Sequence, residues 1–144
     1  MRKILIINGP NINMLGIREP EIYGKQNYQT LISSINAWAN ELGCEVECFQ
    51  SNHEGDIVDR IQKAYSDGTY GIVINPAAYT HTSVAILDAL KAVGLPAVEI
   101  HISDINEREA FRHISYAGLA CEEHYIGLGF EGYKKGMEYL VNRD

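Results

Sequence analysis

Five short runs rich in β-branched or aromatic residues, "KILIIN", "EVECFQ", "YGIVIN", "AVEIHI" and "EEHYIGLG", recur along the chain, and stretches of helical spacing lie between most of them. Strands that alternate with helices pack as a layered α/β sheet, so this order restricts the architecture more than any other feature. The first helix is the clearest: Leu31, Ile35, Trp38 and Leu42 follow at spacings of four, three and four, and Gly43 is placed to stop it.

The spacing predicts a second helix from about Gly55 to Asp67, burying Ile57, Ile61 and Ala64 before Gly68. A third begins near Thr82, carries Val84, Leu87, Leu90 and Val93, and stops at Gly94 with Pro96 beyond. A short helix around Glu107 to Phe111 and a last one around Gly132 to Val141 complete the set. The expected fold is a flavodoxin-like, doubly wound, five-stranded parallel sheet with helices on both faces. A chain of 144 residues is expected to form one domain over 1–144.

In such sheets ligands bind beyond the carboxyl ends of the strands, where the chain order reverses. That rule gives scattered polar residues one address. The loop after the first strand carries Asn11, Arg18 and Tyr23; the third strand ends in Asn75 and leads to His81; the fourth carries Glu99, His101 and Ser103. Asn75 before proline also suits a plain turn, and His81 also suits a helix cap.

Side chains alternate along a strand, so Glu99 and His101 in "VEIHIS" share a face. A carboxylate beside an imidazole sets its tautomer and favours its protonated form, which suits a general acid. The loop "GPNINMLGIREPEIYGKQ" presents Arg18 and Tyr23 five positions apart. A phenol titrates near pH ~10, and a guanidinium about 4 Å away at an effective dielectric of about 20 favours the phenolate by roughly 4 kcal/mol, enough to make it a base near neutrality. Closing such a loop over a ligand would expel water and assemble the base on binding. Arg108 and Arg112, four apart in "SDINEREAFRHI", are expected on one face of a helical turn, to meet a carboxylate or hydroxyls or to pair with Asp104, Glu107 or Glu109.

Charge and composition exclude several function classes. A formal net charge of -7 argues against a nonspecific grip on nucleic acid or acidic lipid, and a small-molecule partner is expected. Cys44, Cys48 and Cys121 lack zinc-site spacing, so they read as reduced thiols in a cytoplasmic protein, with Cys44 and Cys48 on one strand face. No apolar run approaches a membrane span. "GLGFEG" follows the last strand without the rest of a dinucleotide-binding unit, and Asn75 stands where a phosphoacceptor receiver domain would need aspartate. His81, Glu99, His101 and Asp104 fit no known metal spacing, so no metal and no cofactor are expected. His53, His113 and His124 are read as structural or solvent-facing.

"INGPNINMLGIREPEIYG", "INPAAYTHTSVAILDAL", "VEIHISDINEREAFRHISY" and "GLGFEGY", in this order and over nearly the whole chain, resemble type II 3-dehydroquinate dehydratase. The resemblance implies a cofactor-free dehydration of 3-dehydroquinate to 3-dehydroshikimate through an enolate, in the shikimate pathway or in quinate catabolism. It makes Tyr23 the base, Arg18 the group that lowers its pKa, His101 the acid and Glu99 its orienting partner, with Asn11 positioning a water near the enolate. Asn75 and the main chain at Ile102 and Ser103 would hold the substrate carboxylate, His81 and Arg112 the ring hydroxyls, with Arg108 in support. Asp88 would enter the site of a neighbouring subunit, which implies a trimer and, in the family's common form, a dodecamer of four trimers. Leu87 stands where many members carry a basic residue, and Asp104 where a neutral one is frequent. A non-catalytic module binding a polyhydroxy carboxylic acid is the alternative, and a metal-dependent hydrolase a weaker third.

Overall fold

The computed structural model describes residues 1–17 and 26–144. Five strands, β1 (Lys3–Asn8), β2 (Glu45–Gln50), β3 (Gly71–Asn75), β4 (Ala97–His101) and β5 (Glu123–Ile126), form one sheet in the order β2-β1-β3-β4-β5. Every pairing is parallel. This is the flavodoxin-like order, with its reversal point between β1 and β3.

Among the described residues four α-helices cover the sheet: α1 (Tyr28–Leu42), α2 (Glu54–Ala64), α3 (Val84–Val93) and α4 (Glu131–Asn142). The strict alternation of β1 assigns its residues to two cores. Ile4 and Ile6 pack with Leu31 and Ile35 of α1 and with Tyr133, Met137 and Leu140 of α4; Leu5 and Ile7 pack with Ile57 and Ile61 of α2 and Ile86 and Leu90 of α3. Each wholly buried isoleucine contributes about 1.5–3 kcal/mol relative to an exposed one. Both faces of the central strands are therefore apolar, which is why "KILIIN" and "GIVIN" read as unbroken hydrophobic runs.

Local chemistry sets the helix ends. Asn27 and Thr30 form a reciprocal capping box at the start of α1, and Gly43 closes the helix in the left-handed region at φ 71°. Ser83 caps α3 by accepting the Ile86 N–H at 2.9 Å, so the cap falls to this serine and His81 is left available for other contacts. Cys44 and Cys48 do share a face, both against the α1–α4 core.

The expected helix around Glu107 to Phe111 is replaced by two separate 3-10 turns, Ile105–Glu107 and Ala110–Arg112, with extended backbone at Arg108 and Glu109. Polar groups in this stretch find local partners instead of a helical ladder: Asp104 accepts the Asn106 N–H at 2.9 Å, and the Arg108 carbonyl meets His113 Nε2 at 2.9 Å. Only Ile105 is buried there, so no apolar stripe pulls the segment into a helix. Arg108 and Arg112 do not share a helical face.

Candidate active site

The loops after β1, β3 and β4 close around a cleft of about 400 Å³ at the carboxyl edge of the sheet. Two close approaches shape it. Gly9 passes so near the next loop that a Cβ there would stand 2.3 Å from the Pro76 carbonyl oxygen, which excludes every other residue. Asn11 and Ala77 both adopt left-handed backbone, at φ 70° and 54°. Asparagine tolerates that region, whereas alanine there stores strain, and the strained residue lines the cleft.

Polar side chains behind the first loop hold it in place. Gln50 Nε2 donates to the Gly9 carbonyl at 3.1 Å, and the Asn11 N–H donates to Asn52 Oδ1 at 3.0 Å. Asn75 is fixed from two sides. Its Oδ1 accepts the Ala77 N–H at 3.1 Å and its Nδ2 donates to Tyr133 Oη at 2.9 Å, which leaves the second amide N–H for a ligand. Tyr133 in turn donates to Asn8 Oδ1 at 2.6 Å. Burial pushes the Tyr133 phenol well above its ordinary range, so it serves as a neutral donor and not as an acid.

His81 Nδ1 lies 2.7 Å from the Ile114 carbonyl oxygen. A carbonyl only accepts, so Nδ1 carries the hydrogen, and Nε2 of the neutral ring is an acceptor for a ligand hydroxyl. At the floor of the cleft His101, 5% exposed, places Nε2 2.7 Å from Glu99 Oε2. Nε2 is thereby the donor to the carboxylate, and Nδ1 is the ring nitrogen left to face a ligand.

Glu99 itself is 1% exposed and takes three donors. His101 and Ser115 Oγ bond Oε2, and His124 Nδ1 lies 2.6 Å from Oε1. Burial works to raise the Glu99 carboxyl, but the hydrogen bonds from His101, Ser115 and His124 outweigh it and hold the pKa at about 2. The cleft thus has a permanently charged carboxylate behind its imidazole. No Asp or Glu lines the cleft among the described residues, whereas Arg108 and Arg112 do, so a chain of net charge -7 places two guanidinium groups at this opening. That polarity fits an anionic small molecule.

A family model described as Dehydroquinase class II matches residues 2–141. The chain belongs to the type II dehydroquinase family. A 3-dehydroquinate dehydratase of Lachnospira eligens is 55% identical over 141 residues, covering 97% of this chain and 96% of that protein. The crystal structure of a type II dehydroquinase from Butyrivibrio crossotus superposes with a TM-score of 0.92 at 54% identity, covering 96% of this chain and 97% of that one. The type II dehydroquinase of Propionibacterium acnes gives 0.89 at 36% identity, with 98% of each chain covered.

Within this type II dehydroquinase fold, the cleft gathers Asn11, Asn75, His81, His101, Ile102, Ser103, Arg108 and Arg112 from the residues expected in a site, with Glu99 directly behind His101. Arg112 also pairs with Glu109, its Nε 2.7 Å from Oε2. Arg18 and Tyr23 lie outside the described residues. Asp88 is exposed on α3 and does not line the cleft of its own chain. Leu87 is buried in the core-facing side of α3, and Asp104 caps the turn that follows β4.

His124, read from the sequence as structural or solvent-facing, is half-exposed and also reaches the buried Glu99, a contact the sequence did not show. Parallel pairing sets it opposite Glu99 in the adjacent strand, on the same face. Ser115, Tyr133 and Asn8 were also missed, and their signal is tertiary: each is far in sequence from the residue it holds. Among the described residues no three His, Cys, Asp or Glu side chains gather as a metal site, and no helix is long and apolar enough to cross a membrane.

Proposed function

We propose that this chain is a hydro-lyase that converts 3-dehydroquinate to 3-dehydroshikimate by anti elimination through an enolate, without metal or cofactor. The observation that carries the reading is the buried Glu99–His101 pair at the floor of a cationic cleft, in a chain of the type II dehydroquinase family. Tyr23, as phenolate, takes the proton from the carbon beside the ketone, and the released electron pair forms the enolate. Collapse of the enolate breaks the bond to the hydroxyl two carbons away. His101 gives its proton to that oxygen, which leaves as water.

Arg18 stabilises the phenolate by its charge, and Asn11 positions a water near the enolate oxygen. The free amide N–H of Asn75 and the main chain at Ile102 and Ser103 hold the carboxylate, while His81 and Arg112 bind ring hydroxyls, with Arg108 adding positive charge. The same reading takes residues 1–144 as one catalytic domain in the cytoplasm, with three reduced cysteines. It makes the active form a trimer-based oligomer, commonly a dodecamer, in which the exposed Asp88 of α3 completes a neighbouring site. Biosynthetic and catabolic pathways use the same step, and genomic context separates them.

The test is the ultraviolet absorbance of the conjugated enone formed when purified protein meets 3-dehydroquinate, repeated after chelator treatment and after borohydride in the presence of substrate. Equal growth in all three assays is expected. Binding without growth would make the chain a module for polyhydroxy acids, and loss with chelator alone would make it a metal enzyme.

A further inference from the structure

His124 comes from the edge strand β5, and its ring is 43% exposed, yet Nδ1 reaches the buried Glu99 Oε1 at 2.6 Å. We infer that His124 is a positioning residue for the proton donor: by holding Oε1 it keeps Oε2 aimed at His101 Nε2, and so keeps the other nitrogen of His101 aimed into the cleft. The inference rests on the assignment of His101 as the acid.

The terminal torsion of a glutamate is soft and roughly two-fold, so donors on one oxygen alone leave the carboxylate able to swing. Two features remove that freedom. On one side stands Gly118, where a Cβ would lie 2.6 Å from Glu99 Oε1 and 2.8 Å from Ser115 Oγ, so the glycine backbone forms a close wall. Toward β5 stands His124, the donor on that same oxygen. Ser115, held by the Gly118 N–H at 3.0 Å, supplements His101 on Oε2.

Two imidazoles therefore share one buried negative charge, and only His124 opens substantially to solvent. The remaining groups near the carboxylate leave this pair to themselves. Burial and the Glu99 charge push the Cys121 thiol up to about 12, so it stays neutral. Glu122 is engaged by Arg143 and Tyr139, and Glu123 lies opposite Val98 on the other face of the sheet. From β3 the neighbour of Glu99 is the uncharged Ile74, and the charged residues of α3, Asp88 and Lys91, are exposed. The hydrogen bond from His124 to Oε1 draws on the same carboxylate that faces His101 through Oε2.

Removing the ring should thus loosen the acid and give it the whole of the Glu99 charge. In His124→Ala, kcat falls about tenfold, the size expected for one charge-assisted hydrogen bond, while KM changes little because His124 does not line the cleft. His124→Asn, whose amide nitrogen takes the place of Nδ1, restores kcat to within about twofold. The downfield proton resonance of His101 Nε2–H, recorded without substrate, shifts in His124→Ala and returns in His124→Asn. An unmoved resonance in His124→Ala, or equal losses of kcat in both variants, would overturn the inference. The resonance needs no turnover, so absence of dehydratase activity in the unsubstituted protein would remove the functional proposal and leave this test standing.

Discussion

Glu99 and Asp67 are two carboxylates that the fold holds in their charged form. Three donors keep the Glu99 pKa at about 2 against an ordinary value of 4.5. Hydrogen bonds from Thr69, opposed by burial and helped by Lys3 and Arg60, bring Asp67 from 3.8 to about 2. A folded-state pKa below the unfolded one means that the unfolded chain binds protons first as pH falls. The stabilisation is complete above about pH 4.5 and is lost on the way down to about pH 2. Urea midpoints measured across that window should fall steeply in the unsubstituted protein and less steeply in Glu99→Gln or Asp67→Asn; parallel slopes would contradict the assignment. For the proposed base, Tyr23→Phe should abolish turnover with the fold intact by circular dichroism. Arg18→Ala should move the acidic limb of the activity profile to higher pH or abolish turnover, since the phenolate loses its cation.

At the scale of elements, a single hydroxyl starts α3, the helix that carries Asp88. Ser83 is 1% exposed and its Oγ accepts the Ile86 N–H, one of the donors that a helix start leaves unpaired. Ser83→Ala should cost about 1 kcal/mol in urea unfolding, whereas Ser83→Asp should retain most of the stability. Helix stops were legible in the sequence because they are local, Gly43 and Gly94 each following the last apolar position of its helix, whereas the capping box of Asn27 with Thr30 and the Ser83 cap emerged only from the structure. The 3-10 turns at 105–112 were misread as a helix because charged residues at helical spacing carry no burial signal, and burial decides whether a short segment becomes a helix.

Across the whole molecule, Tyr133 ties the last helix to the two central strands through Asn8 and Asn75. Tyr133→Phe keeps the packing but strands the partner groups of both asparagines in the core. The expected loss is about 1–3 kcal/mol in urea unfolding, with a raised KM as Asn75 loosens. The proposed sharing of Asp88 is also a property of the assembly. Inactive Asp88→Ala protomers, mixed after dissociation with inactive Tyr23→Phe protomers, should regain activity, because some sites then combine an intact tyrosine with a neighbour's intact aspartate. No recovery on mixing would place Asp88 outside the site.

The sequence by itself determined the five strands, the long helices and most of the polar lining of the cleft. Periodicity reports burial one element at a time, and the binding edge of a doubly wound sheet follows from the ends of its strands, which is how Asn75, His81 and His101 were found together. Glu99 and His101 were paired from sequence because two residues apart in one strand is a local relation. Only the tertiary structure decided what stands behind them. His124 meets Glu99 through the register of β4 with β5, Tyr133 meets Asn8 from 125 positions away, and Gly9 abuts Pro76 between loops. Such contacts depend on which strands are neighbours and in what register, and side-chain periodicity within an element carries no information about either.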